Sequence, residues 1–224
     1  EVHIVTGAIT SIQNIVKSVH RAGIEVRDIV LQPLASSLSV LTPDEKELGC
    51  VLIDIGGGTS DIAVFSDDAI RYTSVIGIGG KNVTSDIAIC LGTPIDTAED
   101  VKIKYGCALR SMIRKGEKIE VPSPGDRESR FVATEMLGTI IEPRMEELFT
   151  LVKRELDNNN YSGLIGAGAV LTGGASLLRG SAEMAEQILD MPVKVGYPRG
   201  FSGLTDIIEN PSYATVLGLI LYED

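Results

Sequence analysis

The sequence predicts an α/β fold in which a mixed β-sheet is flanked by helices. Three apolar runs of strand length, 50–53, 62–65 and 70–75, follow one another across short turns, which is typical of an antiparallel meander. A fourth run, 167–171, leads into two glycines and then a helical pattern, as in a strand–turn–helix unit. Apolar residues at helical spacing over 12–22 and 134–156 predict helices that would cover such a sheet.

Length and charge narrow the possible functions. The 224 residues are enough for one large domain or two compact lobes. A formal net charge of -11 argues against nucleic-acid binding and against a basic membrane-surface patch. No apolar run approaches the length of a membrane span. Because the chain opens at Glu1 directly on an apolar run, we expect it to be part of a longer protein.

Cysteines and histidines show no metal-ligand pattern. The three cysteines, Cys50, Cys90 and Cys107, form no C-x-x-C pair, so we expect reduced thiols that pack as small apolar side chains. His3 and His20 lie far apart in the sequence, and we assign both of them structural roles.

Two strands and two helices are predicted ahead of the meander. The strands are 2–5 and 26–31, and the helices are 12–22, with Ser11 as N-cap, and one beginning near Gln32. Pro33 suits the first turn of the second helix, because its missing N–H would have no partner there. The polar stretch 43–47 is predicted to be an exposed loop.

After the meander, the pattern alternates helices with short strands. Helices are predicted over 82–91, 97–105, 134–156, 177–189 and 212–221, and strands over 118–121, 130–132 and 191–195. Pro143 predicts a kink or a boundary within the longest helix, because proline removes a backbone donor. The glycine-rich stretch 76–81 is either a second anion-binding turn or a plain flexible loop.

The stretch 54–61, Asp-Ile-Gly-Gly-Gly-Thr-Ser-Asp, carries the strongest functional pattern in the sequence. Backbone N–H groups in a glycine-rich turn can cradle a phosphate chain, and glycine lets such a ligand approach closely. Asp54 and Asp61 cannot hold the phosphate themselves, because like charges repel, but they suit a hydrated Mg²⁺ or an attacking water. The alternative is an ordinary glycine-rich β-turn. The acids and hydroxyls that bracket the glycines favour the phosphate interpretation.

Two sets of charged residues on predicted helices leave alternatives open. Glu99 and Lys102 are three residues apart and share one helix face, where they form either a solvated ion pair or hydrogen bonds to ribose hydroxyls. Pattern alone favours the ion pair. Arg144, Lys153 and Arg154 lie outside the apolar stripe of the longest helix, where a solvated face competes with an acceptor surface for an acidic peptide.

The motifs resemble those of the actin/Hsp70/sugar-kinase superfamily. The stretch 54–61 is similar to its second phosphate motif, and Leu-Thr-Gly-Gly-Ala-Ser-Leu at 171–177 is similar to its adenosine motif. The stretches 32–37 and 212–218 resemble its two connecting helices. Within the superfamily the match narrows to the bacterial cell-division family FtsA, on the stretches 34–42, 83–88, 101–109, 141–144 and 203–206.

The resemblance implies an actin-like, ribonuclease H-like ATPase fold that binds ATP with Mg²⁺. By motif position, the residues facing the β- and γ-phosphates would be Gly56, Gly57, Gly58 and Thr59. The residues against the adenosine would be Gly173, Gly174 and Ser176, with Glu99 and Lys102 matching the family's ribose and adenine contacts. This match raises the ribose interpretation of Glu99 and Lys102 above the ion pair.

Catalytic positions follow from the same resemblance. Asp54 and Asp61 would organise Mg²⁺ through water, and Gln32 falls where relatives place a water-orienting residue. The superfamily's first phosphate loop is missing from this chain. We therefore expect at most slow ATP turnover by the full-length protein and no activity from this stretch alone.

The resemblance also implies that the chain is divided among several lobes. Residues 1–48 would be the remainder of a first lobe, together with the last strand of a subdomain peculiar to FtsA. Residues 49–78 and 164–224 would form the lobe that carries the phosphate and adenosine motifs. Residues 79–163 would form an inserted, smaller α+β lobe.

Partners and location follow from the resemblance as well. FtsA polymerises like actin and tethers the tubulin-like protein FtsZ to the cytoplasmic face of the inner membrane at the division septum, where it also meets other division proteins. It reaches the membrane through a C-terminal amphipathic helix that is absent here. Arg144, Lys153 and Arg154 would receive the acidic FtsZ tail. The alternative function is a sugar or acid kinase of the same superfamily, which the FtsA-like stretches disfavour.

Overall fold

The computed structural model describes residues 6–122, 128–201 and 208–222. Its helices are α1 (Ile9–Arg21), α2 (Gln32–Val40), α3 (Pro43–Leu48), α4 (Gly80–Leu91), α5 (Ile95–Tyr105), α6 (Thr134–Asn158), α7 (Ser181–Leu189) and α8 (Ala214–Ile220). Its strands are β1 (Cys50–Ile55), β2 (Ser60–Ser66), β3 (Ala69–Ile76), β4 (Lys118–Val121), β5 (Arg130–Ala133), β6 (Ala169–Thr172) and β7 (Val193–Val195).

The main sheet is mixed, as the sequence predicts. Its strand order is β3-β2-β1-β6-β7, in which β3, β2 and β1 are antiparallel while β1, β6 and β7 are parallel. The predicted meander is therefore confirmed. Strands β4 and β5 form a separate two-stranded sheet. The register of β1 on β2 pairs Asp54 with Asp61, so both carboxylates project from the same face of the hairpin.

Strand β1 is buried along its whole length, and its alternate residues serve two cores. Val51, Ile53 and Ile55 pack in the larger core, which α4, α5, α6 and α7 cover. Cys50 and Leu52 face the opposite side, where α2 and α8 cover a smaller core. The carboxylate of Asp54 follows the same alternation and points toward α2 and α8, which places a charge at the end of an apolar face.

Several local predictions are wrong. The stretch 43–47 is not a loop, because Thr42 and Glu45 form a capping box that starts helix α3. Residues 26–31 form neither strand nor helix. Helix α1 begins at Ile9 after Ala8, so Ser11 is not its N-cap. Helix α6 runs through Pro143 without a boundary. The predicted strand 2–5 and the FtsA-like stretch 203–206 lie outside the described residues.

None of the helices in the described ranges is long and apolar enough to cross a membrane. Helix α6 is the longest at 25 residues, and charged side chains interrupt it throughout.

Cysteine accessibility tests this fold. Burial raises the pKa of Cys50 to about 12, and Cys107 is buried with its thiol donating to the Leu109 carbonyl at 3.2 Å. Cys90 is exposed on α4. Because the thiolate is the reactive form, we expect a thiol reagent at neutral pH to label Cys90 rapidly and the other two only on unfolding. Mass spectrometry of peptides after brief labelling measures this. Rapid native labelling of Cys50 would contradict the burial of β1.

Candidate functional site

The glycine-rich stretch forms the tip of the β1–β2 hairpin. The Gly56 N–H donates to the Thr59 carbonyl at 2.9 Å and closes the tip. Within the described residues, the N–H groups of Gly57 and Gly58 have no acceptor. Neither glycine has the positive φ that the tight turns of two-residue hairpins require. What these glycines contribute at the tip is two backbone N–H groups that remain available to bind an anion.

The second glycine-rich turn packs directly on this hairpin. The first N–H groups of α4 donate to it, from Gly80 to the Gly56 carbonyl at 2.9 Å and from Lys81 to the Gly57 carbonyl at 2.8 Å. A Cβ on Gly79 would lie 2.7 Å from the carbonyl oxygens of Gly56 and Gly57. The turn is therefore neither a flexible loop nor a free anion site. It is a close backbone contact that sets the position of α4 relative to the hairpin.

Asp54 is the hub of a buried hydrogen-bond network. It is 3% exposed. Its carboxylate accepts hydrogen bonds from Ser36 at 2.7 Å, Thr215 at 3.3 Å and Gln32 at 3.4 Å. The structure thus brings the predicted pair Gln32 and Asp54 together. Ser36 on α2 and Thr215 on α8 were not predicted, although both lie in the small-residue stretches that mark the two helices. The network joins both helices to the end of β1.

Asp61 faces Asp54 across the hairpin. It is 8% exposed. Burial and the neighbouring charge of Asp54 raise the pKa of Asp61, and a 3.5 Å hydrogen bond from the Thr59 hydroxyl offsets this only in part. Two adjacent carboxylates repel each other, so a cation nearby would stabilise both. Mg²⁺ is commonly held by one or two carboxylates with waters and phosphates completing its shell, and the pair fits that chemistry. In the described ranges no third His, Cys, Asp or Glu joins them.

A cleft of about 1040 Å³ lies between the hairpin, α4, α5 and the turn after β6. Of the residues predicted to contact ligand, its lining includes Gly56, Gly57, Glu99, Lys102 and Gly174. The others lie outside the lining: Gln32, Asp54, Gly58, Thr59, Asp61, Gly173 and Ser176. Lining residues that sequence reasoning missed include Lys81, Asp96, Tyr105, Leu178, Arg179 and Ser212. The hairpin, α4, α5, the turn after β6 and Ser212 therefore meet at one concave surface.

Glu99 and Lys102 form a structured pair on the cleft wall. The Lys102 ammonium donates to Glu99 at 2.8 Å, to the Thr84 hydroxyl at 2.9 Å and to the Gly80 carbonyl at 3.1 Å. Burial acts to raise the pKa of Glu99, but hydrogen bonds from Lys102 and Thr84 outweigh it and lower that pKa. Lys102 is 11% exposed while Glu99 is 42% exposed. The pair therefore holds α5 against the start of α4, and the Glu99 carboxylate stays accessible from the cleft.

The turn predicted to contact adenosine contributes backbone atoms to the cleft more than it contributes side chains. Gly173 has φ +81°, and a Cβ there would lie 2.4 Å from the Asp54 carboxylate and 2.6 Å from the Ile55 carbonyl. The Ser176 hydroxyl is buried and donates to the Gly173 carbonyl at 2.7 Å. A short 3₁₀ turn over Gly174–Leu177 follows. Ser176 thus stabilises the turn, and Gly174 presents it to the cleft.

The three basic residues predicted to bind a partner have different surroundings. Arg144 pairs with Asp86 on α4 at 2.7 Å and with Glu147 at 2.5 Å. Lys153 donates to the Ile188 carbonyl at 2.8 Å. Arg154 is exposed on α6. Two of the three cations already have partners within the chain, and the role of the set in binding stays a prediction.

The mixed sheet, the helices on both its faces and the cleft beside its hairpin define an actin-like fold. MreB5 of Spiroplasma citri bound to ADP superposes with a TM-score of 0.78 at 22% identity, over 97% of this chain and 66% of that one. The MamK double helical filament gives a TM-score of 0.70 at 14% identity, over 97% of this chain and 66% of that one. At such identities the likeness shows the fold.

A family model described as cell division protein FtsA matches residues 51–218. The cell division protein FtsA of Pseudomonas aeruginosa is 54% identical over 222 residues, which cover 99% of this chain and 53% of that protein. The chain belongs to the FtsA family of cell division proteins. It spans about half the length of the curated relatives that it matches.

Proposed function

We propose that the full-length protein binds ATP in the cleft described above and that the bound nucleotide governs its self-association in cell division. The observation that carries this proposal is the convergence of the hairpin, α5 and the 174–177 turn on one cleft of about 1040 Å³. Membership of the FtsA family and a fold shared with MreB5 bound to ADP and with the MamK filament support it.

Each wall of the cleft has a distinct task in this proposal. The Gly57 and Gly58 N–H groups, which have no acceptor within the described residues, would receive phosphate oxygens. The Glu99 carboxylate would accept hydrogen bonds from ribose hydroxyls, with Lys102 holding it in place. The backbone at Gly174 would lie against the adenosine. Gln32, Thr59, Gly173 and Ser176 do not line the cleft and would act on its shape or through water.

Asp54 and Asp61 would hold a hydrated Mg²⁺ through water. When bound, the metal would offset the charge of the phosphates and the repulsion between the two carboxylates. Asp54 would keep its orientation through Ser36, Thr215 and Gln32, so that α2, α8 and β1 move as one unit with the site. The chain would in this way couple an event at the phosphates to the positions of two helices.

The partners proposed for the whole protein are FtsZ, other division proteins and further copies of itself. It would link FtsZ to the cytoplasmic face of the inner membrane at the septum, with membrane contact made by a C-terminal amphipathic helix of the full-length protein. Arg154, exposed on α6, would meet the acidic FtsZ tail, with Arg144 and Lys153 adding positive charge on the same helix.

Nucleotide titration tests the proposal. Calorimetry of the full-length protein with ATP and Mg²⁺ should show saturable binding, and pelleting or electron microscopy should show filaments that depend on ATP. Turnover should not increase when small hydroxylated acceptors are added. A folded full-length protein with no measurable ATP binding would refute the nucleotide site. Acceptor-dependent turnover would instead support a kinase.

The FtsZ tail provides a second test. We expect Arg154→Glu in the full-length protein to weaken tail-peptide binding roughly fivefold, because an exposed charge pair contributes about 1 kcal/mol. Fluorescence anisotropy at two salt concentrations measures this, and binding should also weaken with salt. Arg130→Glu makes the same charge change on β5 and serves as the control. If both variants weaken tail-peptide binding equally, the cause is the net charge of the protein, and a specific contact at Arg154 is contradicted.

A further inference from the structure

Lys81 is a cation at the hairpin for which the interactions above supply no partner. It is the second residue of α4, it is exposed, and it lines the cleft. Its aliphatic stem covers the hairpin tip, because a methyl group placed on Gly57 would lie 3.4 Å from Lys81 Cε and 3.7 Å from its Cδ and Cγ. Among the residues that the structure describes, its ammonium makes no hydrogen bond or ion pair.

The position of Lys81 is unfavourable for a cation unless an anion binds nearby. The first turn of a helix lies at the positive end of its dipole, where Asp and Glu stabilise the helix and Lys does not. The open N–H groups of Gly57 and Gly58 add further positive potential next to it. The charge of Lys81 helps to lower the pKa of Glu99, but the two side chains form no ion pair, so this attraction offsets the cost to the free protein only in part, and a bound anion would offset the rest.

The other cations that line the cleft either donate hydrogen bonds within the chain or are not among the atoms nearest to Gly57. Lys102 is held by Glu99 and Thr84 and is nearly buried. Arg179 donates to the Met112 carbonyl at 3.1 Å. Lys104 lines the cleft from α5, whereas the three heavy atoms nearest to a methyl group on Gly57 all belong to Lys81. Lys81 is thus the cleft-lining cation whose side chain contacts the glycine tip.

We propose that Lys81 binds the terminal phosphates of the nucleotide and makes the cleft favour phosphorylated nucleotides over adenosine. This inference rests on the nucleotide function proposed above. The lysine stem is flexible and ends in a compact charge with three donors, which suits phosphate oxygens that differ in position between a diphosphate and a triphosphate. Adenosine, without phosphate, gains nothing from this side chain.

The test is a ligand series with three variants of the full-length protein. Calorimetry with Mg²⁺ compares ATP, ADP and adenosine for Lys81→Gln, Lys81→Arg and the matched control Lys118→Gln, an exposed lysine on β4 that does not line the cleft. We expect Lys81→Gln to weaken ATP and ADP binding roughly tenfold or more, since a charge-assisted hydrogen bond is lost, and to leave adenosine unchanged. Lys81→Arg should retain most of the affinity, and Lys118→Gln should match wild type.

A stability measurement separates a binding role from a structural one. Without ligand, Lys81→Gln should melt at or above the wild-type temperature, because a cation has left the positive end of α4. Equal weakening of adenosine and ATP, or a lower melting temperature, would overturn the inference in favour of a structural role. Unchanged ATP affinity in Lys81→Gln, with wild type binding ATP, would overturn this inference alone. A wild-type protein that binds no ATP would overturn both proposals.

Discussion

Gly79→Ala should destabilise the protein and disrupt its nucleotide site. The added Cβ would lie 2.7 Å from the carbonyl oxygens of Gly56 and Gly57, and backbone atoms cannot move aside as a flexible side chain would. Overpacking of this kind costs about 1–3 kcal/mol, and we expect the upper end of that range. The hairpin and the start of α4 would be pushed apart, and a shift of about 1 Å at a preorganised site can cost on the order of 100-fold in function.

Gly77→Ala is the matched control for this change. It adds the same group two residues earlier, where nothing lies within 4 Å, and Gly77 has no positive φ. Urea unfolding of both full-length variants, followed by ATP titration, measures the two effects. If Gly79→Ala keeps wild-type stability and affinity, the close contact between the two glycine turns does not hold the site together.

Asp61→Asn should stabilise the free protein while weakening its binding of ATP with Mg²⁺. Burial and the charge of Asp54 raise the pKa of Asp61, so its charged form opposes folding at neutral pH. The amide keeps the shape of the side chain and removes the repulsion. Stabilisation on the order of 0.5–2 kcal/mol is typical when a functional residue of this kind is replaced. Loss of one carboxylate should weaken ATP binding in Mg²⁺ much more than in a metal chelator.

The pH dependence has a defined sign. The folded-state pKa of Asp61 is raised above its unfolded value of about 3.9, so the folded protein keeps the proton over a pH range in which the unfolded chain has lost it. The contribution of Asp61 to stability therefore falls as pH rises through that range and stays low above it. The advantage of Asp61→Asn should grow from acid to neutral pH and vanish below about pH 3.9.

Denaturant unfolding from acid to neutral pH measures this, with Asp100→Asn as the control because Asp100 is an exposed carboxylate on α5. A stability advantage of Asp61→Asn that is independent of pH would show that the charge of Asp61 is not its cause. Equal loss of ATP affinity with and without Mg²⁺ would contradict the metal role.

These two substitutions share a physical basis. At both positions the residue is not the one that stability alone would select. Gly79 is a glycine immediately before helix α4, and Asp61 is a buried carboxylate that faces a second carboxylate, Asp54. Such departures are expected at functional sites, where the cost in stability is compensated elsewhere in the fold.

The hairpin was predictable because its pattern is local. Two apolar strands of matching length with glycines between them have one register that buries both, and that register pairs Asp54 with Asp61. The mixed sheet, the helix at Gln32 and the shared face of Glu99 and Lys102 also follow from short-range periodicity. Helix α3 was equally readable from its Thr42–Glu45 capping box and was mistaken for a loop because it is short and polar.

Sequence by itself thus determined the glycine-rich hairpin, the strand order of the meander and, through motif resemblance, the family. Tertiary structure decided what each residue touches. Asp54 became a buried hub because α2 and α8 converge on it, with Thr215 of α8 reaching it from 161 residues away in the sequence. Ser176 turned inward to its own backbone, and Lys81 came to cover Gly57. Periodicity specifies which face of an element is buried, but only the packing of distant elements specifies which polar groups meet there.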